Sequence, residues 1–71
     1  MDLRELRRQR GLSLEALGYL AEVDQATISR IERGLAAPRR ETVVRLARGL
    51  GISVKRMAAI VAEGQPDQAA S

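Results

Sequence analysis

Neither histidine nor cysteine occurs in this chain. Without them it lacks the usual general base at neutral pH, a thiol nucleophile, disulfide staples and most ligands for a transition metal. Tyr19 is the only aromatic residue, which excludes a stacking platform for single-stranded nucleic acid. Long apolar runs and internal repeats are also absent, so 71 residues allow one small domain and no membrane span. The start, MDLRELRRQRG, is charged and amphipathic and has no apolar core of a signal peptide, which predicts a cytoplasmic protein. No paired-acid motif is present, and Ser13, Ser29 and Ser53 have no base nearby to activate them, so the expected function is binding without catalysis, cofactor or metal. A core this small supplies stability on the order of 3 to 5 kcal/mol, so a partner that binds the folded state would reinforce it.

What is present is arginine, unevenly spread. There are eleven arginines against the single Lys55, within a net charge of +3. Residues 11–29 hold three acids and no base, whereas residues 30–48 hold Arg30, Arg33, Arg39, Arg40, Arg45 and Arg48 against Glu32 and Glu41. Such a step in sign suits a surface that follows a phosphate backbone. Arg45 and Arg48 are read as ordinary solvated charges.

Apolar periodicity predicts five helices and no strand. The first runs from about Asp2 to Gln9 with Leu3 and Leu6 inward. Ser13 caps a second that reaches Ala21 and buries Leu17 and Ala21. Asp24 is read as the cap of a third, from Gln25 to Arg33, with Ile28 and Ile31 on its buried stripe and Gly34 as its stop. The fourth starts near Arg40 or Glu41, turns Val43, Leu46, Ala47 and Leu50 inward, and stops at Gly51. Ser53 caps the fifth, which turns Val54, Met57 and Val61 inward. Residues 1–63 form the domain, and 64–71, without apolar periodicity, are expected to be a disordered tail.

The second and third helices are joined by Glu22, Val23 and Asp24, the spacing of a helix-turn-helix. Gly18 supplies the small residue where the helices cross, and Val23 an apolar plug in the turn. Together with LRELRRQRGLS at 3–13, TISRIERG at 27–34, Pro38 and ETVVRLARGLGIS at 41–53, this resembles the Cro/C1-type, XRE-like helix-turn-helix proteins, relatives of the lambdoid phage repressors. The resemblance implies an all-α, five-helix bundle of the lambda repressor-like DNA-binding kind.

By that resemblance Gln25, Ala26, Thr27 and Arg30 face base edges. Ser13, Arg33, Arg39 and Arg40 face phosphates, and Glu32 pairs with Arg7. Residue chemistry agrees, because Gln bonds adenine N6 and N7, Arg bonds guanine O6 and N7, and Ala and Thr methyls pack on thymine. Two positions depart from the family's pattern. Leu14 stands where a phosphate-binding Gln is common, and Glu22 stands where Gly is usual in the turn, so Glu22 either accepts a positive φ at about 1 kcal/mol or changes the turn.

Leu14, Leu20, Leu35, Val44 and Ile60 exceed the needs of the core pattern. That surplus suggests a symmetric homodimer, with Leu35, Val44 and a fifth-helix face of Met57, Ile60 and Val61 as its interface. The expected function is a dimeric, sequence-specific repressor on double-stranded DNA at a pseudo-palindromic operator. The alternative is an antitoxin or other interaction module whose protein partner, a toxin or polymerase, takes the apolar surplus.

Overall fold

A computed structural model describes residues 1–63 of the chain as five α-helices: α1 Leu3–Gln9, α2 Leu14–Ala21, α3 Gln25–Glu32, α4 Arg40–Leu50 and α5 Val54–Glu63. The all-α, five-helix expectation holds among these residues. The expected tail at 64–71 lies outside them.

Local chemistry sets the helix ends. Asp2 accepts from the Glu5 amide at 2.9 Å, and Glu5 accepts from the Asp2 amide at 3.0 Å, closing a reciprocal capping box on α1. Ser13 and Ser53 accept from the amides of Ala16 and Arg56 and cap α2 and α5 as read from the sequence. Asp24 corrects that reading. It holds the position before α3, with φ −57° and ψ 134°, but its side chain makes no cap hydrogen bond. Arg39, before α4, makes none either.

The core is assembled from one stripe per helix. Leu17, Ile28, Ile31, Leu46 and Met57 are its largest fully buried side chains, with Leu3, Leu6, Ala21, Val43, Ala47 and Leu50 around them. Truncating such a residue to alanine costs about 2 to 5 kcal/mol, most of what a domain of this size possesses. α4 packs on both α2 and α5, and α2 packs on α3. The α2–α4 approach depends on Gly49, where a Cβ would lie 3.0 Å from the Ala21 Cα and nitrogen.

Two expectations about α5 are corrected. Val54 is exposed, because it starts the helix at the rim. Met57, Ile60 and Val61 are only 0, 6 and 6 % exposed, so they fill this chain's own core and offer no surface for a rigid second copy. Leu14 packs against the core and Ile60 lies within it, which accounts for part of the apolar surplus.

Three arginines tie elements together through carbonyls. Arg10 donates to the Leu50 carbonyl, joining the ends of α1 and α4. Arg7 donates to the Leu12 carbonyl at 2.9 Å. Arg45, read as solvated, instead donates to the Glu22 carbonyl at 3.0 Å and to the Glu41 carboxylate at 2.8 Å, linking α4 to the α2–α3 turn.

Candidate nucleic-acid interface

The angle between α2 and α3 is fixed by three backbone features. A Cβ on Gly18 would meet the Val23 carbonyl oxygen at 2.9 Å, so only glycine allows this approach. The Val23 amide donates back to the Gly18 carbonyl at 3.1 Å. Glu22 closes α2 in the left-handed region, φ 57° and ψ 43°, the one non-glycine residue there among those described. Of the two outcomes open at Glu22, the turn takes the positive φ at a cost of about 1 kcal/mol. Val23 is half-buried and packs against the core, as its role as a plug requires.

α3 then divides its residues by face. Ile28 and Ile31 are buried, and Ala26, Arg30 and Arg33 recur at i, i+4 and i+7 on the exposed side. Gln25 is also exposed, at the leading end, while Thr27 and Ser29 are half-buried at the margins. Of the four candidate base readers, Gln25, Ala26 and Arg30 therefore share open surface, and Thr27 can offer only its outer edge. Arg30 has no ion-pair partner among the described residues.

The far end of α3 is pinned. Glu32 has a side chain only 1 % exposed, and Arg7 grips it through Nε at 2.7 Å and Nη2 at 3.0 Å. Arg4 adds a longer contact at 3.4 Å from the exposed side. Hydrogen bonding to Glu32 raises the Arg7 pKa further above its already high value, with burial opposing. The Arg7–Glu32 pairing implied by the resemblance is thus present, and it connects the candidate reading helix to α1.

The candidate phosphate contacts lie on three separate segments. The Ser13 oxygen is occupied as an acceptor by the Ala16 amide, which leaves its O–H to donate outward. Arg33 is exposed and touches the Ser29 carbonyl at 3.4 Å. Arg39 and Arg40 are exposed at the start of α4, where no side chain caps the first-turn amides. A helix start with free amides and flanking guanidiniums suits an anionic oxygen.

The chain matches a family model described as a helix-turn-helix domain over residues 2–60. The chain belongs to the XRE-like helix-turn-helix family. A relative of this helix-turn-helix domain is the HTH-type transcriptional regulator DdrOP3 of Deinococcus deserti, 42 % identical over 52 residues. That match takes in 73 % of this chain but only 40 % of the relative. No solved structure matches the chain.

Sequence reading missed two residues that shape this helix-turn-helix. Arg45 had a visible signal in its i, i+4 spacing from Glu41, but its bond to the Glu22 carbonyl depends on tertiary placement. Gly49 carried no signal, since a glycine in a helix interior announces close packing only once its neighbour is known. No group of three or more metal-binding side chains occurs among the described residues, and no described helix is long and apolar enough to cross a membrane.

Proposed function

We propose that this helix-turn-helix domain is a sequence-specific, double-stranded DNA-binding transcriptional regulator that acts as a dimeric repressor at a pseudo-palindromic operator. The observation that carries the reading is the division of α3. Its buried face and Glu32 are fixed to the rest of the domain, while Gln25, Ala26 and Arg30 stand free on the opposite side with no intramolecular work. In the major groove the Gln25 amide pairs with adenine N6 and N7, and Arg30 pairs with guanine O6 and N7. Ala26 and the rim of Thr27 meet a thymine methyl. Ser13, Arg33, Arg39 and Arg40 hold phosphates, which supplies most of the affinity and sets register.

In a two-fold dimer two copies of α3 would enter successive major grooves about 34 Å apart. Leu35, 66 % exposed in the loop after α3, and the half-buried Val44 are the interface candidates left once α5 is assigned to the core. Repression follows from occupying sequence that polymerase needs. Supporting this reading are the family and a relative whose name is that of a transcriptional regulator.

A titration of enriched genomic fragments against random duplex, followed by fluorescence anisotropy at two salt concentrations, tests it. Preferential binding that weakens with salt and loses its sequence preference in Arg30→Ala is the expected result. Equal binding of all fragments by parent and variant would overturn it.

A second reading, an antitoxin or other protein-interaction module, draws on the exposed Tyr19, Leu20 and Leu35. An obligate antitoxin would co-purify with a stoichiometric partner, which separates the two readings.

A further inference from the structure

Asp24 is placed to cap α3 and does not. The equivalent residues of α1 and α2, Asp2 and Ser13, accept from the amide three positions on, at 2.9 and 3.0 Å. The Asp24 side chain makes no such bond, is exposed, and has no ion-pair partner among the described residues. Nor is it neutralised by near sequence neighbours, since residues 11–29 contain no base. A free carboxylate therefore stands at the leading end of the helix whose first residues approach base edges, directly before Gln25.

We propose that Asp24 is a specificity-determining residue that selects a cytosine in the operator half-site. This rests on the DNA-reading function proposed above. An ionised carboxylate only accepts hydrogen bonds. In the major groove the donors are cytosine N4 and adenine N6, and adenine sets its N7 acceptor beside N6 where it repels a second acceptor. Cytosine presents its amino group without that neighbour, and guanine and thymine present acceptors to this edge. The same charge opposes phosphate, so a register that brings Asp24 to the backbone is penalised. Asp24 thus contributes a repulsive element to specificity beside the attractive ones of Gln25 and Arg30.

Selection from a randomised duplex pool, run in parallel with the parent, Asp24→Asn, Asp24→Ser and Arg30→Ala, tests this. The parent is expected to enrich cytosine at one position of each half-site, adjacent to the base pair governed by Gln25. Asp24→Asn, whose amide matches adenine N6 and N7, moves that one position toward adenine and lowers the cytosine preference roughly threefold to tenfold, leaving the other positions unchanged. Asp24→Ser loses the preference at that position, and both variants bind random duplex severalfold more tightly at low salt than the parent. Circular dichroism should show unchanged helix content, because the carboxylate holds no cap bond. Identical preferences in the parent, Asp24→Asn and Asp24→Ser, with Arg30→Ala having lost its own, would overturn the role of Asp24 alone. A parent that enriches no sequence would overturn this role and the DNA-reading function together.

Discussion

Arg7 of α1 holds Glu32 of α3 with two parallel donors, Nε to one carboxylate oxygen at 2.7 Å and Nη2 to the other at 3.0 Å, across 25 positions of sequence. Because the Glu32 side chain is 1 % exposed, removing Arg7 strands a buried charge. Such a loss costs about 3 to 5 kcal/mol, comparable to the whole stability of a domain this small. Arg7→Ala should therefore be largely unfolded in urea titrations monitored by circular dichroism. The double variant Arg7→Met, Glu32→Leu should recover most of the loss. A single variant as stable as the parent would mean that Glu32 reaches water.

The pH behaviour of this pair follows from the direction of the Arg7 shift. A pKa raised on folding adds stability that is fully present below the unfolded arginine value and disappears only as pH rises through the still higher folded one. The difference in urea midpoint between the parent and the double variant Arg7→Met, Glu32→Leu, which lacks the pair and stays folded, should thus stay constant from about pH 7 to about pH 9. A difference that shrinks across that window would contradict the charged, hydrogen-bonded state of Arg7.

Glu22 bears the left-handed backbone of the turn, and Arg45 reaches only its carbonyl. Glu22→Gly removes the Cβ penalty of about 1 kcal/mol without breaking that bond, and should stabilise the domain by up to about 0.5 kcal/mol after the extra chain entropy of glycine is subtracted. Thermal unfolding should shift upward by a few degrees. A lower midpoint would show that the carboxylate makes an interaction worth more than the strain.

Leu35 and Met57 separate self-association from folding. Leu35→Asp should shift the sedimentation profile toward the monomer at micromolar concentrations while leaving the unfolding midpoint nearly unchanged, since the side chain is 66 % exposed. Met57→Ala should cost about 2 to 5 kcal/mol whatever the oligomeric state. If Leu35→Asp sediments like the parent, the loop after α3 is not the interface.

Arg39 and Arg30 should differ in kind. Arg39→Ala is expected to weaken binding to all duplexes alike and to reduce the log–log salt slope by about 1. Arg30→Ala should cost about 1 to 3 kcal/mol on the preferred sequence and relax the preference at one base pair. Anisotropy titrations on matched and mismatched duplexes resolve the two patterns, and an interchange of them would reverse the assigned roles.

Much of this was legible because local rules agree with tertiary demand. Ile28 and Ile31 in α3, and Val43, Leu46, Ala47 and Leu50 in α4, are buried where helical periodicity places them. Gly18 and Gly51 were readable as a crossing and a stop. Failures came where identity underdetermines geometry. Asp24 has the chemistry of a cap but not the side-chain bond. Ile60 looked spare, and Met57 and Val61, rightly read as inward, were also assigned to an interface, because periodicity tells which face is apolar and not what covers it. Arg45 looked solvated because its acceptor, the Glu22 carbonyl, is 23 residues away.

The pattern of burial along α3 bears on how such a protein changes over generations. The residues that keep the helix in place, Ile28, Ile31 and Glu32, are different residues from those that meet solvent at Gln25, Ala26 and Arg30. Substitutions at the second set draw little on the small reserve of folding energy. Under the function proposed above, a descendant of this chain can therefore acquire a new genomic address through a handful of codons without passing through an unfolded ancestor.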